Sequence, residues 1–375
     1  ACPNPCLPEI IAEWQQEREA LRRKLKLSEQ TYQREPFAAD VSEGKNDPIY
    51  NAHSYHTKVP HKAIMRYILH YTDPGDIVFD GFCGTGMTGV AAQLCGDKKA
   101  VEELGYRVDA KSIIWDGEKA ISRLGARKAV LNDLSPAATF IAYNYNTPVD
   151  IATFEREAKR ILKDVEQECG WMYETWYPDC DDLKRVKARI NYTVWSEVFT
   201  CPQCGKELVY FDVAVDRETF AVNDNFKCPA CEAALDKKSL DRVWESYYDQ
   251  SLQQPHKLVK YKPVLISCQI GKQRYEKQPD REDFDLADKV ERTPVPRWYP
   301  SGEMLEGERK GKDGYHLKGI THLHHFYFHR PLAAYSNLWK RTETIQNVSL
   351  RNYLKFYIQG ACQSFTKMNR YRHDA

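Results

Sequence analysis

Asp76-Ile-Val-Phe79-Asp80-Gly81-Phe82-Cys83-Gly84-Thr85-Gly86-Met87 decides the reading of this chain. The apolar run at its start, bounded by turn residues, reads as a short strand, and the small and apolar residues from Met87 to Leu94 read as a buried helix. Glycines at 84 and 86 let the backbone turn sharply and approach a ligand closely, while the helix that follows presents unpaired N–H groups. This layout predicts a nucleotide-like cofactor site. A second strand, Ala129 to Asp133, precedes Ser135 as N-cap and Pro136 as the first residue of a helix running to Tyr145. Strand, helix, strand, helix predicts a parallel α/β sheet.

The turn alone leaves alternatives open. Gly89 completes a Gly-x-Gly-x-x-Gly spacing, so a nicotinamide oxidoreductase fits it too. Asp133 stands where a carboxylate accepts ribose hydroxyls, but it lies well beyond the usual ~20 residues from the glycines. An insertion spanning Asp97 to Leu124 accounts for the gap; without one, Asp133 is a helix-capping acid.

Outward from this core, Ile10, Ile11, Trp14, Leu21 and Leu25 mark an amphipathic helix over Pro8 to Leu27. Pro60 reads as the first residue of a helix that carries Ile64, Tyr67, Ile68 and Tyr71 and ends at Thr72 to Gly75. Phe154, Ala158, Ile161, Leu162, Val165 and Cys169 recur at helical spacing. Downstream, Cys201-Pro-Gln-Cys204 and Cys228-Pro-Ala-Cys231 form two C-x2-C knuckles, the ligand pattern of a tetrahedral structural zinc. The zinc ribbon is expected over Asn191 to Lys238, with strands at Val194 to Phe199 and Leu208 to Val215. Four sulfurs leave no open position, so the metal is structural. Gly271 to Gly314 reads as a long polar loop, and helical periodicity resumes from Pro331.

With 375 residues, 42% of them hydrophobic, the chain is long enough for two or three domains with cores of their own. Its net charge of +1 neither supports nor excludes DNA. No stretch has the length of a membrane span, and the first thirty residues carry a charged helix where a signal peptide needs an apolar core. A cytoplasmic protein is expected, with most of its 12 cysteines reduced; Cys2 and Cys6 read as unrelated thiols.

Several motifs together resemble the zinc-ribbon-containing DNA methylases of the adenine-N6/cytosine-N4 amino-methyltransferase family. They are His56-Thr57-Lys58-Val59-Pro60, the stretch Tyr71 to Asp80, Phe82-Cys83-Gly84-Thr85-Gly86-Met87-Thr88, Asn132-Asp133-Leu134-Ser135-Pro136 and the two knuckles. The resemblance spans Asp47 to Lys238 and implies a class I methyltransferase (Rossmann-like) sheet with an inserted zinc ribbon and a partly helical C-terminal region. It implies S-adenosylmethionine as cofactor, with Phe82, Gly84 and Gly86 beneath its methionine part, Asp80 holding the amino group and Asp133 taking the ribose hydroxyls. Thr57, Lys58 and Pro60 match the segment that closes over the cofactor. Gly81 and Met87 depart from the family, which more often has proline and threonine there. The corresponding domains are 1–46, an N-terminal helical extension; 47–190, the cofactor region; 191–238, the ribbon; and 239–375, a polar connection and helical region for DNA recognition.

Such enzymes carry an Asp/Asn/Ser-Pro-Pro-aromatic catalytic motif, and this chain contains no Pro-Pro pair. The expectation is therefore the cofactor and recognition portion of a DNA methyltransferase, cut before its catalytic tetrapeptide, acting on adenine N6 first and cytosine N4 next. DNA is the implied partner, with a restriction or defence-system protein as a further one. An RNA methyltransferase and a non-catalytic DNA-binding ribbon protein are the rivals. Two features stay outside this reading. His322, His324, His325 and His329, with His316 nearby, are numerous enough for a second metal, but with no carboxylate among them they read first as packed or surface residues. Arg351, Tyr353, Lys355, Tyr357, Lys367, Arg370, Tyr371 and Arg372 fit either contacts to phosphates and bases or the exposed face of an ordinary helix.

Overall fold

A computed structural model describes residues 4–27, 32–55, 57–177, 185–295, 297–305, 314–369 and 371. His56, Cys2, Arg370 and Arg372 lie outside the described residues. The chain divides into two compact units, one formed by residues 1–154 with 345–360 and the other by 155–344 with 361–375.

In the first unit, the decisive stretch forms β1 (Ile77–Asp80), preceded by α1 (Leu7–Leu25), α2 (Pro48–Asn51) and α3 (His61–Tyr71) and followed by α4 (Met87–Leu94). Pro60 is the residue before α3 rather than its first residue. Next come α5 (Lys98–Glu102) and an antiparallel meander of β2 (Arg107–Val108), β3 (Ile113–Asp116) and β4 (Lys119–Arg123), which fill the interval where an insertion was expected. The chain then returns as β5 (Lys128–Leu131), parallel to β1 with Ile77 opposite Lys128 and Asp80 opposite Leu131. Ser135 caps α6 (Pro136–Asn146) as expected, its hydroxyl accepting the Ala138 N–H at 3.3 Å. Met65, Ile68 and Leu69 of α3 meet Ala91 and Ala92 of α4 in a core that continues to Tyr106, Val108 and Ile114 of the meander.

Arg127 locks this arrangement. Its buried guanidinium donates to the carbonyls of Thr72, Arg123 and Gly125 and to the hydroxyls of Thr72 and Ser122. Those acceptors include the end of α3 and the end of β4, so one side chain satisfies carbonyls that turns would otherwise leave bare. Among the described residues, the β1/β5 sheet has two strands only. Phe79 of β1 is consequently 70% exposed, which a central strand of a doubly wound sheet would not allow.

The second unit contains most of α7 (Ile151–Cys169) and is organised on one long strand, β7 (Lys187–Thr200). It pairs antiparallel with β6 (Glu174–Trp176), β8 (Glu207–Val209), β11 (Asp241–Arg242) and β14 (Tyr261–Ile270), and β14 in turn with β15 (Gln273–Lys277). Between β8 and β11 the chain forms α8 (Tyr210–Ala214) and the pair β9 (Asn225–Lys227) and β10 (Ala234–Asp236). A separate hairpin joins β12 (Trp244–Asp249) to β13 (Gln254–Val259). Two expectations fail in this unit. Of the predicted strand Leu208 to Val215, Leu208 and Val209 lie in β8 and Val215 forms an isolated bridge to Val222; Phe211 and Ala214, three apart, are buried together on α8, where Ser196 Oγ accepts the Phe211 N–H at 2.9 Å. Gly271 to Gly314 is not a loop throughout, because it contains β15 and α9 (Arg281–Arg292).

The cause of that second failure is polar chemistry that reads as linker. Asp280 and Asp283 form a reciprocal capping box at the start of α9. Lys277, 2% exposed at its side chain, donates to Asp280 at 2.7 Å, Asp283 at 2.8 Å, Thr175 Oγ1 at 3.1 Å and the Trp176 carbonyl at 2.9 Å. Burial favours the neutral amine, but the two carboxylates outweigh it and raise the Lys277 pKa. Helices His329–Thr342 and Val348–Gly360 follow the predicted periodicity near the C-terminus.

Candidate cofactor site and thiolate cluster

The glycine turn sits at the carboxyl ends of β1 and β5, where open α/β sheets bind ligands. Asp80 closes β1, and its Oδ1 accepts the Phe82 N–H at 3.1 Å while Oδ2 accepts Thr88 Oγ1 at 2.5 Å. From the neighbouring strand, Asp133 Oδ2 accepts the Gly84 N–H at 2.9 Å and Oδ1 the Ser135 N–H at 2.9 Å. Asp133 thus braces the turn directly, and each carboxylate oxygen keeps lone-pair capacity for a further donor. Cys83 N–H donates to the Asn132 carbonyl at 2.9 Å, and Asn132 Nδ2 to Gly81 at 3.0 Å, so the two strand ends are tied by backbone and side chain alike.

The two glycines serve different purposes. Gly84 has φ +52°, and a Cβ there would meet only the Tyr55 ring, at 3.5 Å. Gly86 has φ +76°, and its Cβ would fall 2.7 Å from Ala142 Cβ and 2.8 Å from Asn146 Nδ2 on α6. Helix packing therefore demands Gly86, while Gly84 borders open space. The third glycine of the fingerprint, Gly89, also packs on Asn146. Phe82 is 83% exposed beside the turn, and Thr85 Oγ1 is buried without a hydrogen-bond partner. A backbone cradle open at Gly84, an exposed aromatic and two acids at the strand ends fit a cofactor with an ammonium group and ribose hydroxyls.

Burial, with Asp80 and Asp133 close by, pushes the Cys83 thiol up to about 11, which leaves it protonated and poor as a nucleophile. From the N-terminal side, Tyr55 reaches the turn, whereas Lys58 turns back on its own loop, its ammonium donating to the carbonyls of Tyr50 and His53. Thr57 is exposed and Pro60 buried before α3. Asn146, whose Nδ2 donates to the Gly86 carbonyl at 3.1 Å, has no signature in the sequence: only the fold brings the end of α6 to the turn.

The four ribbon cysteines form one cluster. Cys201 and Cys231 Sγ are 3.8 Å apart, as are Cys204 and Cys228. A tetrahedron with Zn–S bonds of ~2.3 Å has edges of about 3.8 Å, so the sulfurs already stand at ligand separation. Both knuckles share one turn: Gly205 N–H bonds to the Cys201 carbonyl and Glu232 N–H to that of Cys228, each at 2.9 Å. Gly205 and Glu232 both have positive φ, +71° and +62°. Backbone N–H groups of Ala230 and Cys231 favour the Cys228 thiolate and bring it down to about 7. The apolar support is Phe199, Leu208, Phe226 and Leu235.

The C-terminal residues proposed for nucleic-acid contact scatter in role. Tyr353 packs edge-on against Phe154, Tyr371 against Phe220 and Tyr192, and Lys367 stands over the Phe328 ring, where burial brings its ammonium down to about 8.

Residues 11–146 match the model of the N6/N4 family described as DNA methylase. This segment is an N6/N4 DNA methylase domain. The matched segment contains α3, the glycine turn, Asp133 and all of α6, so the family match and the site geometry fall on the same residues. For the matched segment, likeness to the DNA methylases implies a class I methyltransferase fold, S-adenosylmethionine use and DNA as substrate. No curated protein and no solved structure matches the chain. Among the described residues, no helix is long and apolar enough to cross a membrane.

Proposed function

We propose that this chain is the cofactor-binding and zinc-ribbon portion of a DNA methyltransferase that acts on a base amino group, adenine N6 in preference to cytosine N4. The observation that carries the reading is the bracing of Gly84 between the strand ends, with Asp133 bonded to its N–H. In this reading Asp133 holds the ribose hydroxyls of S-adenosylmethionine, Asp80 its amino group, and Phe82, Gly84 and Gly86 line its methionine side. The cofactor supplies an electrophilic methyl group. Lys58 keeps the 50–58 loop folded so that Tyr55, with Thr57 and Pro60, covers the site. Cys201, Cys204, Cys228 and Cys231 hold one structural zinc, and the free cysteines fit a reducing, cytoplasmic setting.

A conjugated exocyclic amine is a poor nucleophile until acceptors localise its lone pair, the work of the Pro-Pro motif that these 375 residues lack. The two-stranded sheet and exposed Phe79 support the view that further strands, and the tetrapeptide with them, come from other sequence. Calorimetry with S-adenosylmethionine and incubation with labelled donor and mixed-sequence DNA test this together. Binding without methyl transfer is the expected result. Sustained turnover would refute the division of labour, and no binding would favour a non-catalytic DNA-binding role.

A further inference from the structure

The histidines of the Thr321–His329 stretch play no part in the site above, yet two of them are buried. His324 is 7% and His325 1% exposed, and both aim Nε2 at the same oxygen of Asp249, Oδ2, at 2.8 and 2.9 Å. Asp249 closes β12 and is itself 2% exposed. The carboxylate missing from the histidine stretch is thus supplied by a hairpin 75 residues earlier than His324. All three donor atoms lie within 4.8 Å of one another.

We propose that Asp249 Oδ2, His324 Nε2 and His325 Nε2 bind a divalent metal ion, with zinc the best match to two imidazoles and one carboxylate. Bonds of ~2.0–2.1 Å in a tetrahedron put donor atoms about 3.3 Å apart, so the triad opens by about half an ångström to admit the ion. The supporting groups are in place. Asp249 Oδ1 accepts the N–H groups of Ser251 at 2.9 Å and Leu252 at 3.1 Å, which fixes the carboxylate, and the Tyr247 hydroxyl donates to Oδ2 at 3.3 Å while leaving it lone-pair capacity for the ion. The His256 ring stacks on His325 with centroids 4.2 Å apart and is anchored by Nε2 donating to the Gly319 carbonyl at 2.7 Å.

His325 has a partner for either tautomer. Its Nδ1 faces the N–H groups of Thr321 and His322 at 3.3 Å, which suits the ion-free ring, and Thr321 Oγ1 at 3.4 Å, which accepts an Nδ1–H once Nε2 is a ligand. Hydrogen bonding does not close the network by itself, because His324 Nδ1 is buried with no partner. Three protein ligands leave a fourth position for water. The ion would join the β12–β13 hairpin to the 321–326 segment, two parts of the second unit that lie far apart in sequence.

Elemental analysis of the whole chain, after dialysis against metal-free buffer, is the test. Two zinc per chain are expected, one lost in Asp249→Asn or His325→Gln and the other in Cys204→Ser. Cobalt exchange of the parent gives an independent readout that does not depend on a variant folding: its spectrum should combine an intense thiolate charge-transfer band with weak bands from a nitrogen/oxygen site. One zinc removed by Asp249→Asn but not by Cys204→Ser would support the histidine site and count against the ribbon metal alone. One zinc that only Cys204→Ser removes, or two retained in His325→Gln, would overturn the proposal.

Discussion

Replacing Gly86 by alanine should damage the fold of the first unit, and replacing Gly84 should not, although the two glycines look alike in sequence. An added Cβ at Gly86 would lie 2.7 Å from Ala142 Cβ and 2.9 Å from Ala142 Cα, a backbone atom of α6 that cannot step aside. Asn146 Nδ2, 2.8 Å away, could swing only by giving up its bonds to the Gly86 and Ala142 carbonyls at 3.1 and 2.8 Å. Holding an L-residue at φ +76° costs ~1–2 kcal/mol, and overpacking adds ~1–3 kcal/mol, so a loss of about 2–5 kcal/mol is expected. Alanine at Gly84 incurs only the backbone term, since Tyr55 Cε1 at 3.5 Å is an ordinary contact. Hydrogen exchange of the α4 and α6 amides in the whole chain measures the difference: the overpacking term of ~1–3 kcal/mol should make the Gly86 variant open these helices about fivefold or more as often as the Gly84 variant. Equal protection in the two variants would refute the assignment of Gly86 to helix packing.

Asp133→Ala should weaken S-adenosylmethionine binding by ~1–3 kcal/mol in calorimetry, because it removes a charged acceptor that also braces Gly84; unchanged affinity would point to another acid. Cys201→Ser should release the ribbon zinc and open residues 201–238 to protease while β7, held by β14, stays protected; an unchanged digestion pattern would count against a metal-dependent ribbon. Lys277→Met, which leaves the buried Asp283 carboxylate without its cation, should cost ~3–5 kcal/mol in urea unfolding at neutral pH. The pH dependence has a sign. Burial raises the Asp280 pKa, but Lys277 together with the backbone N–H groups of Asp283 and Glu282 outweighs it and lowers the value in the native state, so the contribution is present above the ordinary ~3.9 and fades as pH falls through the lowered pKa. The raised pKa of Lys277 places the alkaline loss above ~10.4. The variant should therefore show a shallower acid limb than the parent, and identical limbs would contradict the pairing.

The elements around the glycine turn were legible because local chemistry specifies them: turn residues bound β1, Ser135 and Pro136 start α6, and two C-x2-C knuckles mark the thiolate cluster. Legibility failed where polar residues are buried in pairs. Asp280, Asp283 and Lys277 have the composition of a linker until a capping box and a buried ion pair make them the start of a helix. Leu208 to Val215 is an apolar run that reads as a strand, yet the Ser196 hydroxyl and two buried side chains three residues apart turned Tyr210–Ala214 into α8.

From its own spacing the sequence determined the glycine turn, the acid that follows the second strand and the two cysteine knuckles, because each of these is set by residues a few positions apart whose covalent geometry constrains them. Tertiary structure alone decided that Gly86 answers to α6 while Gly84 faces open space, that Asn146 secures the turn, and that Asp249 meets His324 and His325. Those pairings join residues between about fifty and eighty positions apart. Nothing in local propensity encodes such a distance; only the closing of the chain around its buried cores brings the partners within reach of a hydrogen bond.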